Sequence, residues 1–290
     1  MTPPCRICGA STQRLGNVHG AYSGRDYELR RCATCGYAFI ADPLTDFSRI
    51  YDDRYYSGRG ADPLVDYQFE LSEPSRTVRQ YEWRGITGIV ERLLGGLAGV
   101  RWLDFGAGNG GLVRHVIQTT PAAATGFEEG SIATSARALG IPTTSAAELE
   151  RQRGRFDVVT AIEVLEHTLD PIAELRRIRG LLRPGGLLLI TTGNAAPFAA
   201  ALKRWSYVVP EIHISFFEPR TLVQAFAASG FRPGPMPARS GFDEVLKFKV
   251  LKNLRIRRRS SLTDLIPARP LAAVADRRTQ LSRHPVGWAA

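Results

Sequence analysis

The sequence is poor in sulfur and has no long apolar run. Its 290 residues include only four cysteines and two methionines. No apolar stretch approaches the roughly 18 residues that a membrane span needs, and residues 1–4 do not resemble a targeting segment. We therefore expect a cytoplasmic protein without secretory disulfides.

Acidic residues are scarce at one end of the chain. Eleven lysines and arginines but only two aspartates follow residue 246, whereas the residues before that point are nearly neutral. A basic segment of this kind can bind RNA phosphates or lie against an anionic membrane. Because residues 253–290 also contain three prolines, we expect a loosely ordered basic tail there.

The four cysteines form two identical CxxCG motifs, at Cys5, Cys8, Cys32 and Cys35. Two such motifs can present four thiolates tetrahedrally to one Zn²⁺, and the glycine after each motif eases the turn. Unrelated buried thiols or redox pairs are the alternatives. We predict a zinc-ribbon-like module over residues 1–45 with structural Zn²⁺, since so short a segment cannot bury a core without its metal.

The rest of the chain alternates between short apolar strands and helices. Residues 46–85 read as an aromatic linker and helical cap, with a helix from residue 73 to 94. The alternation over residues 86–252 predicts an α/β, doubly wound, Rossmann-like sheet that is mostly parallel. Residues 231–238 and 245–251 are expected to form its final, antiparallel strands.

A glycine loop follows the first strand of this sheet, at Gly106, Gly108, Gly110 and Gly111. Its spacing also fits a dinucleotide-binding loop, so the glycines alone do not decide the ligand. Asp104 precedes the loop and would repel a pyrophosphate, but it would attract the ammonium and sulfonium groups of S-adenosylmethionine. Glu128 ends the next strand, where an acid can accept both ribose hydroxyls.

These residues resemble class I S-adenosylmethionine-dependent methyltransferases. Residues 103–110, 126–128, 156–167 and 182–186 are similar to successive motifs of that class, and the resemblance spans residues 80–252. It implies that Glu128 holds the ribose and that Glu163 lies beside the methyl donor; Glu148 is the nearest match to an acid that contacts adenine. The implied cofactor-binding residues are Asp104, Gly106, Ala107, Gly108, Asn109, Gly110, Glu128, Glu148 and Glu163.

The N-terminal region, residues 5–56, leads into this fold and resembles methyltransferases of sugar, surface-glycan and natural-product pathways. The resemblance rests on the CxxCG pair, Pro43, and the aromatic run Tyr51, Tyr55, Tyr56. The larger sugar C-methyltransferases of that group have a further C-terminal domain. Its absence from this sequence favours oxygen as the methyl acceptor, in a small molecule or a glycan.

The acceptor is expected to bind at an insert over residues 193–217. Our hypothesis is that His213 is the general base and that Glu211 or Tyr207 orients it or the acceptor. The alternative is that His213 caps the next helix or fixes the insert on the sheet. His167 is expected to order the cofactor loop. No cluster of Asp, Glu and His is evident in the sequence, so metal-independent transfer is expected.

Two rival functions remain open. An RNA methyltransferase would use the cysteine module and the basic tail, but the first 45 residues are nearly neutral, which disfavours RNA binding. A catalytically inactive scaffold of the same fold is disfavoured by the intact loop and both acids. The sequence does not indicate an oligomeric state.

Overall fold

The N-terminal cysteine region builds a small antiparallel sheet. The computed structural model describes residues 2–46, 50–60, 64, 66–236 and 241–290. Strands β1 (Thr12–Gly20), β2 (Arg25–Cys32) and β3 (Ala38–Ile40) form a meander. Its fourth strand, β9 (Ser215–Phe216), comes from the acceptor-side insert and pairs with β3. The cysteine region is therefore joined to the insert by backbone hydrogen bonds.

Three helices connect this sheet to the main domain. They are α1 (Asp53–Tyr56), α2 (Tyr67–Ser72) and α3 (Arg79–Leu94). The predicted long helix is present as α3, although it begins at Arg79 rather than at residue 73. It ends at Gly95, whose φ of 74° is the left-handed conformation that favours glycine after a helix.

The main domain is a seven-stranded sheet in the order β10-β11-β8-β7-β4-β5-β6. The strands are β4 (Arg101–Phe105), β5 (Ala123–Phe127), β6 (Thr143–Thr144), β7 (Phe156–Ile162), β8 (Leu182–Thr191), β10 (Phe231–Gly234) and β11 (Val286–Ala289). Strands β4 to β8 pair in parallel, whereas β11 is antiparallel to both neighbours. The connecting helices are α4 (Gly111–Thr119), α5 (Ile132–Ala138), α6 (Ala146–Glu150), α7 (Pro171–Leu181) and α8 (Pro219–Ala228). This confirms the predicted α/β class.

Alternate side chains of the central strands fill two cores, one on each face of the sheet. In β8, Leu187 and Leu189 pack in the cluster that contains residues of α3 and α4. Leu188 and Ile190 point the other way, into the cluster that contains residues of α7 and α8. Helices on both faces leave the carboxyl ends of the parallel strands as the edge where a ligand can bind.

The second predicted antiparallel strand is wrong. Residues 245–251 lie in helix α9 (Phe242–Asn253), which buries Phe242, Val245 and Leu246 at helical spacing. Lys247 and Lys249 alternate with apolar residues and so imitate a strand, but both lysines are themselves largely buried. The preceding strand is β10 (Phe231–Gly234), and residues 237 and 238 of the predicted strand lie outside the described residues.

The expectation of a loosely ordered tail is also wrong. After α9 the chain forms α10 (Ser261–Leu265) and α11 (Ala268–Thr279), and it then supplies β11, which lies between β8 and β10. The tail is therefore an integral part of the large sheet. No helix among the described residues has both the length and the hydropathy to cross a membrane.

Candidate active site

The glycine loop has the conformation that its sequence requires. Gly106, Gly108 and Gly110 have φ values of 75°, 53° and 72°, which strain any residue with a side chain. The N–H groups of Gly106 and Ala107 donate to the carbonyl oxygen of Phe127, at 2.8 and 2.9 Å. The loop is thereby fixed at the carboxyl ends of β4 and β5.

A cavity opens at this loop. It is lined by five predicted cofactor residues, Asp104, Gly106, Ala107, Gly108 and Asn109. Residues of α2 and α3 complete its wall, namely Tyr67, Arg79, Glu82, Trp83 and Ile86. The cavity therefore offers backbone, aromatic and charged groups to a single ligand.

Asp104 is a buried carboxyl group at the base of the cavity. Burial raises its pKa to about 7, although the hydroxyl of Thr160 donates to it at 2.7 Å and favours ionisation. The nearby acids Glu82 and Glu128 raise the pKa further. A cationic ligand would relieve this cost, so the site fits the ammonium group of S-adenosylmethionine.

Glu128 lies beside the loop as predicted. Its two carboxylate oxygens accept hydrogen bonds from the N–H groups of Gly108 and Gly130, at 2.9 and 2.7 Å. A side chain at Gly130 would collide with the Tyr56 hydroxyl. The aromatic run therefore packs against the loop that follows Glu128.

Glu148 and Gly110, like Glu128 and Glu163, are not among the residues that line the cavity. Glu148 is exposed and closes a capping box at the start of α6, where it accepts from the N–H and hydroxyl of Ser145, both at 2.8 Å. The structure does not bring Glu148 to the glycine loop. Gly110 lies one residue before α4, where a Cβ would approach Ile141.

Glu163 follows β7 in a strained backbone conformation. Its φ is 54°, one of three positive values among the described non-glycine residues. Thr191 donates to its carboxylate at 3.0 Å, and the Lys249 ammonium lies 3.1 Å away. Burial opposes ionisation of Glu163, but Lys249 and Lys252 outweigh it and hold the pKa below its usual value.

A buried ionic network links Glu163 to the cavity, and the sequence analysis missed it. Lys249 also lies 3.4 Å from Glu82, which pairs with Arg79 at 2.9 Å; Arg79 in turn pairs with Glu70 at 2.7 Å. The available signal was charged residues on the apolar faces of α3 and α9. Such residues are rarely buried unless they are paired.

A second cluster lies beside Glu163. Ligand atoms of Glu166, His167 and His213 are all within 4.8 Å of one another, and this carboxylate–imidazole set is suited to a metal ion. We expected no such cluster, because His213 is remote in sequence and only the folded insert brings it close. Glu166 is completely buried, and burial together with Glu163 raises its pKa.

Tyr207 and His213 lie together in this cluster. The Tyr207 hydroxyl donates to Glu166 at 2.5 Å and accepts from the N–H of Gly193 at 3.0 Å. The His213 ring stacks on Tyr207 with centroids 4.0 Å apart, and its Nδ1 is 2.6 Å from the Tyr207 carbonyl oxygen. His167 Nδ1 similarly lies 2.7 Å from the carbonyl oxygen of Ile212.

Glu211 does not belong to the acceptor site, and the role predicted for it must be corrected. Its Oε1 accepts from the N–H groups of Tyr22 and Ser23, both at 3.0 Å, and from the Ser23 hydroxyl at 3.1 Å. The side chain is completely buried and points to the β1–β2 turn. Glu211 therefore clamps the insert to the N-terminal sheet.

The four cysteines converge as predicted. Their sulfur atoms all lie within 4.8 Å of one another, with Cys5 3.5 Å from Cys35 and Cys8 3.6 Å from Cys32. Tetrahedral Zn²⁺ with bonds of about 2.3 Å separates its sulfurs by about 3.8 Å, so the geometry fits this ion. Gly9 and Gly36 follow the two motifs with φ values of 72° and 81°.

The strand order, the antiparallel β11 and the glycine-loop cavity define a class I S-adenosylmethionine-dependent methyltransferase. The family model described as "Methyltransferase domain" matches residues 76–233, more than half of the chain, and the chain belongs to this family.

Several curated relatives are ubiquinone biosynthesis O-methyltransferases. The Bordetella pertussis enzyme is 29% identical over 171 residues, which cover 51% of this chain and 69% of the relative. The Xanthomonas campestris enzyme is 35% identical over 120 residues, which cover 37% of this chain and 48% of the relative. The chain thus spans only about half the length of some of these relatives.

One solved structure supports the fold over most of the chain. A chain from a complex that contains the Haloferax volcanii Trm112 methyltransferase activator superposes with a TM-score of 0.50 and 15% identity. The match covers 79% of this chain and 96% of that one. At this identity the similarity concerns the fold alone.

Proposed function

We propose that this protein transfers the methyl group of S-adenosylmethionine to a hydroxyl oxygen of a small sugar, glycan or natural-product intermediate. The observation that carries the proposal is the placement of Glu166, His167 and His213 next to Glu163, at the strand edge that also holds the glycine loop. The O-methyltransferase names of the curated relatives support oxygen as the acceptor.

Residues of the cavity, together with Glu128 beside the glycine loop, would bind and orient the methyl donor. Asp104 holds the ammonium group, Glu128 accepts from the ribose hydroxyls, and the glycines allow the backbone to approach the methionine end. Glu163, which is paired with Lys249, would lie between the donor and the acceptor. This arrangement favours the in-line geometry that methyl transfer requires.

His213 would remove the acceptor proton. Because its Nδ1 is hydrogen-bonded to the Tyr207 carbonyl, the proton resides on Nδ1 and the lone pair on Nε2. The hydroxyl oxygen attacks the methyl carbon, the carbon–sulfur bond breaks, and the proton passes to Nε2. The products are the methyl ether and neutral S-adenosylhomocysteine.

Glu166, His167 and His213 would hold a divalent cation if the reaction uses one. The cation would polarise the acceptor oxygen and lower the pKa of the hydroxyl. Turnover that survives EDTA would assign proton removal to His213. Loss of turnover with EDTA and its recovery with Mg²⁺ or Mn²⁺ would assign activation of the acceptor hydroxyl to the cation. The zinc bound by the cysteines is assayed in parallel, so that its loss is not mistaken for this effect.

We also infer that Cys5, Cys8, Cys32 and Cys35 bind one structural Zn²⁺. The sulfur separations and the burial of three of the four thiols support this. The ion would stabilise the N-terminal sheet and take no part in the chemistry.

The test is methyl transfer from isotopically labelled S-adenosylmethionine to hydroxylated sugars, glycans, phenols and tRNA. We expect product with the label on oxygen, and we expect His213→Asn to lower the single-turnover rate about 100-fold or more. Glu148→Gln, at an exposed cap, is the control and should retain the wild-type rate. An unchanged single-turnover rate in His213→Asn would refute His213 as the general base. Label found only on tRNA, or only on carbon or nitrogen, would refute a small-molecule or glycan hydroxyl as the acceptor.

A further inference from the structure

The most exposed aliphatic side chains are concentrated between β10 and β11. Among the described residues, Leu265, Leu262, Leu254 and Val274 have the largest exposed fractions of any large hydrophobic residue, at 78%, 75%, 65% and 64%. Single exposed leucines need no explanation, but four of them within one short segment indicate an interaction surface.

The exposed leucines of α10 are held outward by contacts on the opposite side of the helix. The Tyr81 hydroxyl donates to the Asp264 carboxylate at 2.8 Å and lies 3.0 Å from the hydroxyl of Thr263, which is buried. Ser260 caps the helix. Leu262 and Leu265, three residues apart, therefore share the solvent-facing side of a fixed helix.

The same segment is strongly cationic. Seven arginines lie between residues 254 and 278, against two aspartates. Three of these arginines pair with aspartates: Arg259 with Asp264 at 2.8 Å, Arg257 with Asp66 at 3.5 Å and Arg269 with Asp243 at 3.8 Å. Arg255 is exposed after the end of α9. Arg277 and Arg278 are exposed in the last turn of α11, which also exposes Val274.

We propose that the surface formed by the end of α9, α10 and α11 binds an anionic lipid bilayer. The leucines and Val274 would enter the boundary between headgroups and acyl chains, and the exposed Arg255, Arg277 and Arg278 would contact lipid phosphates. RNA would use the arginines but gains nothing from exposed leucines. A second copy of the chain would oppose two arginine-rich surfaces and is disfavoured by repulsion.

This surface is connected to the acceptor side of the enzyme. Asn194 of the insert donates to the carbonyl oxygen of Gln280, which follows α11, at 2.9 Å. Lys249 of α9 pairs with Glu163 at 3.1 Å. Membrane binding through this surface would thus hold the acceptor-side insert close to the bilayer. The proposal does not depend on which atom is methylated.

The experiment is flotation of the full chain with vesicles of phosphatidylcholine alone or mixed with phosphatidylglycerol. We expect binding only to the mixed vesicles, reduced at least tenfold by 0.5 M NaCl. The variants Leu262→Ser/Leu265→Ser and Arg277→Gln/Arg278→Gln should each bind at least fivefold more weakly with an unchanged melting temperature. Leu139→Ser is the matched control, because Leu139 is 59% exposed outside this segment.

Several results would overturn the proposal. Equal binding to both vesicle types would remove the role of lipid charge, and full binding by the double-leucine variant would place the contact elsewhere. Absence of flotation at 50 mM NaCl would refute membrane binding. A concentration-dependent dimer that the double-leucine variant abolishes, without flotation, would assign the surface to self-association instead.

Discussion

At the scale of single residues, the carboxyl groups of the site differ in the charge that each one faces. Asp104 is buried beside other acids and its pKa rises to about 7. Glu163 is buried beside Lys249, which outweighs the burial and lowers its pKa. Arg79 offsets only part of the rise at Asp104, so a cationic ligand can still stabilise the ionised carboxylate, whereas Glu163 already has Lys249.

Asp104 should make cofactor binding depend on pH. Its raised pKa means that ionisation destabilises the unliganded fold as the pH rises through about 7, and that a bound ammonium favours the ionised form. We expect S-adenosylhomocysteine to bind about tenfold more tightly at pH 8 than at pH 6, with proton release detectable by calorimetry in two buffers.

Asp104→Asn is the matched variant for this measurement. It should bind S-adenosylhomocysteine more weakly at pH 8 and lose most of the pH dependence, because the titrating carboxyl group is removed. The charged groups that face residue 104 (Glu82, Glu128 and Arg79) remain in place, so the comparison isolates this carboxyl. An identical pH dependence in the variant would show that another group titrates.

At the scale of elements, the parallel part of the sheet was predictable from the sequence. Strand β9 and helix α9, which depend on contacts with distant segments, were not. Short apolar strands alternating with helices specify βα units locally. Strand β9 has only two residues and exists because β3 pairs with it, and the alternating lysines of α9 imitate a strand. Both depend on tertiary contacts that a local pattern does not contain.

The same limit applies to the candidate site. The glycine loop, Asp104 and Glu128 lie next to strands that the sequence reveals, so their convergence was predictable. His213 meets His167 only because the insert folds back through β9, and Glu211 was assigned to the wrong contact for the same reason.

Glu211→Gln should weaken the clamp between the insert and the β1–β2 turn. The neutral side chain loses charge-assisted hydrogen bonds to Tyr22 and Ser23, so we expect a loss of about 1–2 kcal/mol in the free energy of unfolding. Urea unfolding measures this. S-adenosylhomocysteine affinity should stay within about twofold, since Glu211 does not line the cavity. Wild-type stability would contradict the clamp.

At the scale of the whole molecule, the cysteine region and the methyltransferase sheet share one core. Cys5, Cys32 and Cys35 pack in the same apolar cluster as Leu103 and Leu188 of the large sheet. The Thr221 hydroxyl of α8 also donates to the carbonyl oxygen of Cys35 at 2.7 Å. Loss of zinc should therefore affect more than residues 1–45.

The double variant Cys32→Ser/Cys35→Ser should lose the bound zinc and lower the melting temperature by several degrees or more. We expect turnover to fall more than S-adenosylhomocysteine affinity, because β3 pairs with β9 two residues after His213, whereas the cavity is built by other elements. Metal analysis, calorimetry and single-turnover rates measure the three effects. A zinc-free variant with wild-type stability and turnover would contradict this coupling.

The most direct test of the central claim is calorimetric titration of the zinc-assayed protein with S-adenosylhomocysteine. We predict one site per chain with micromolar affinity, at least tenfold weakened by Asp104→Asn at pH 8. Absence of binding by a folded, zinc-loaded protein would contradict the assignment of the glycine-loop cavity to this cofactor.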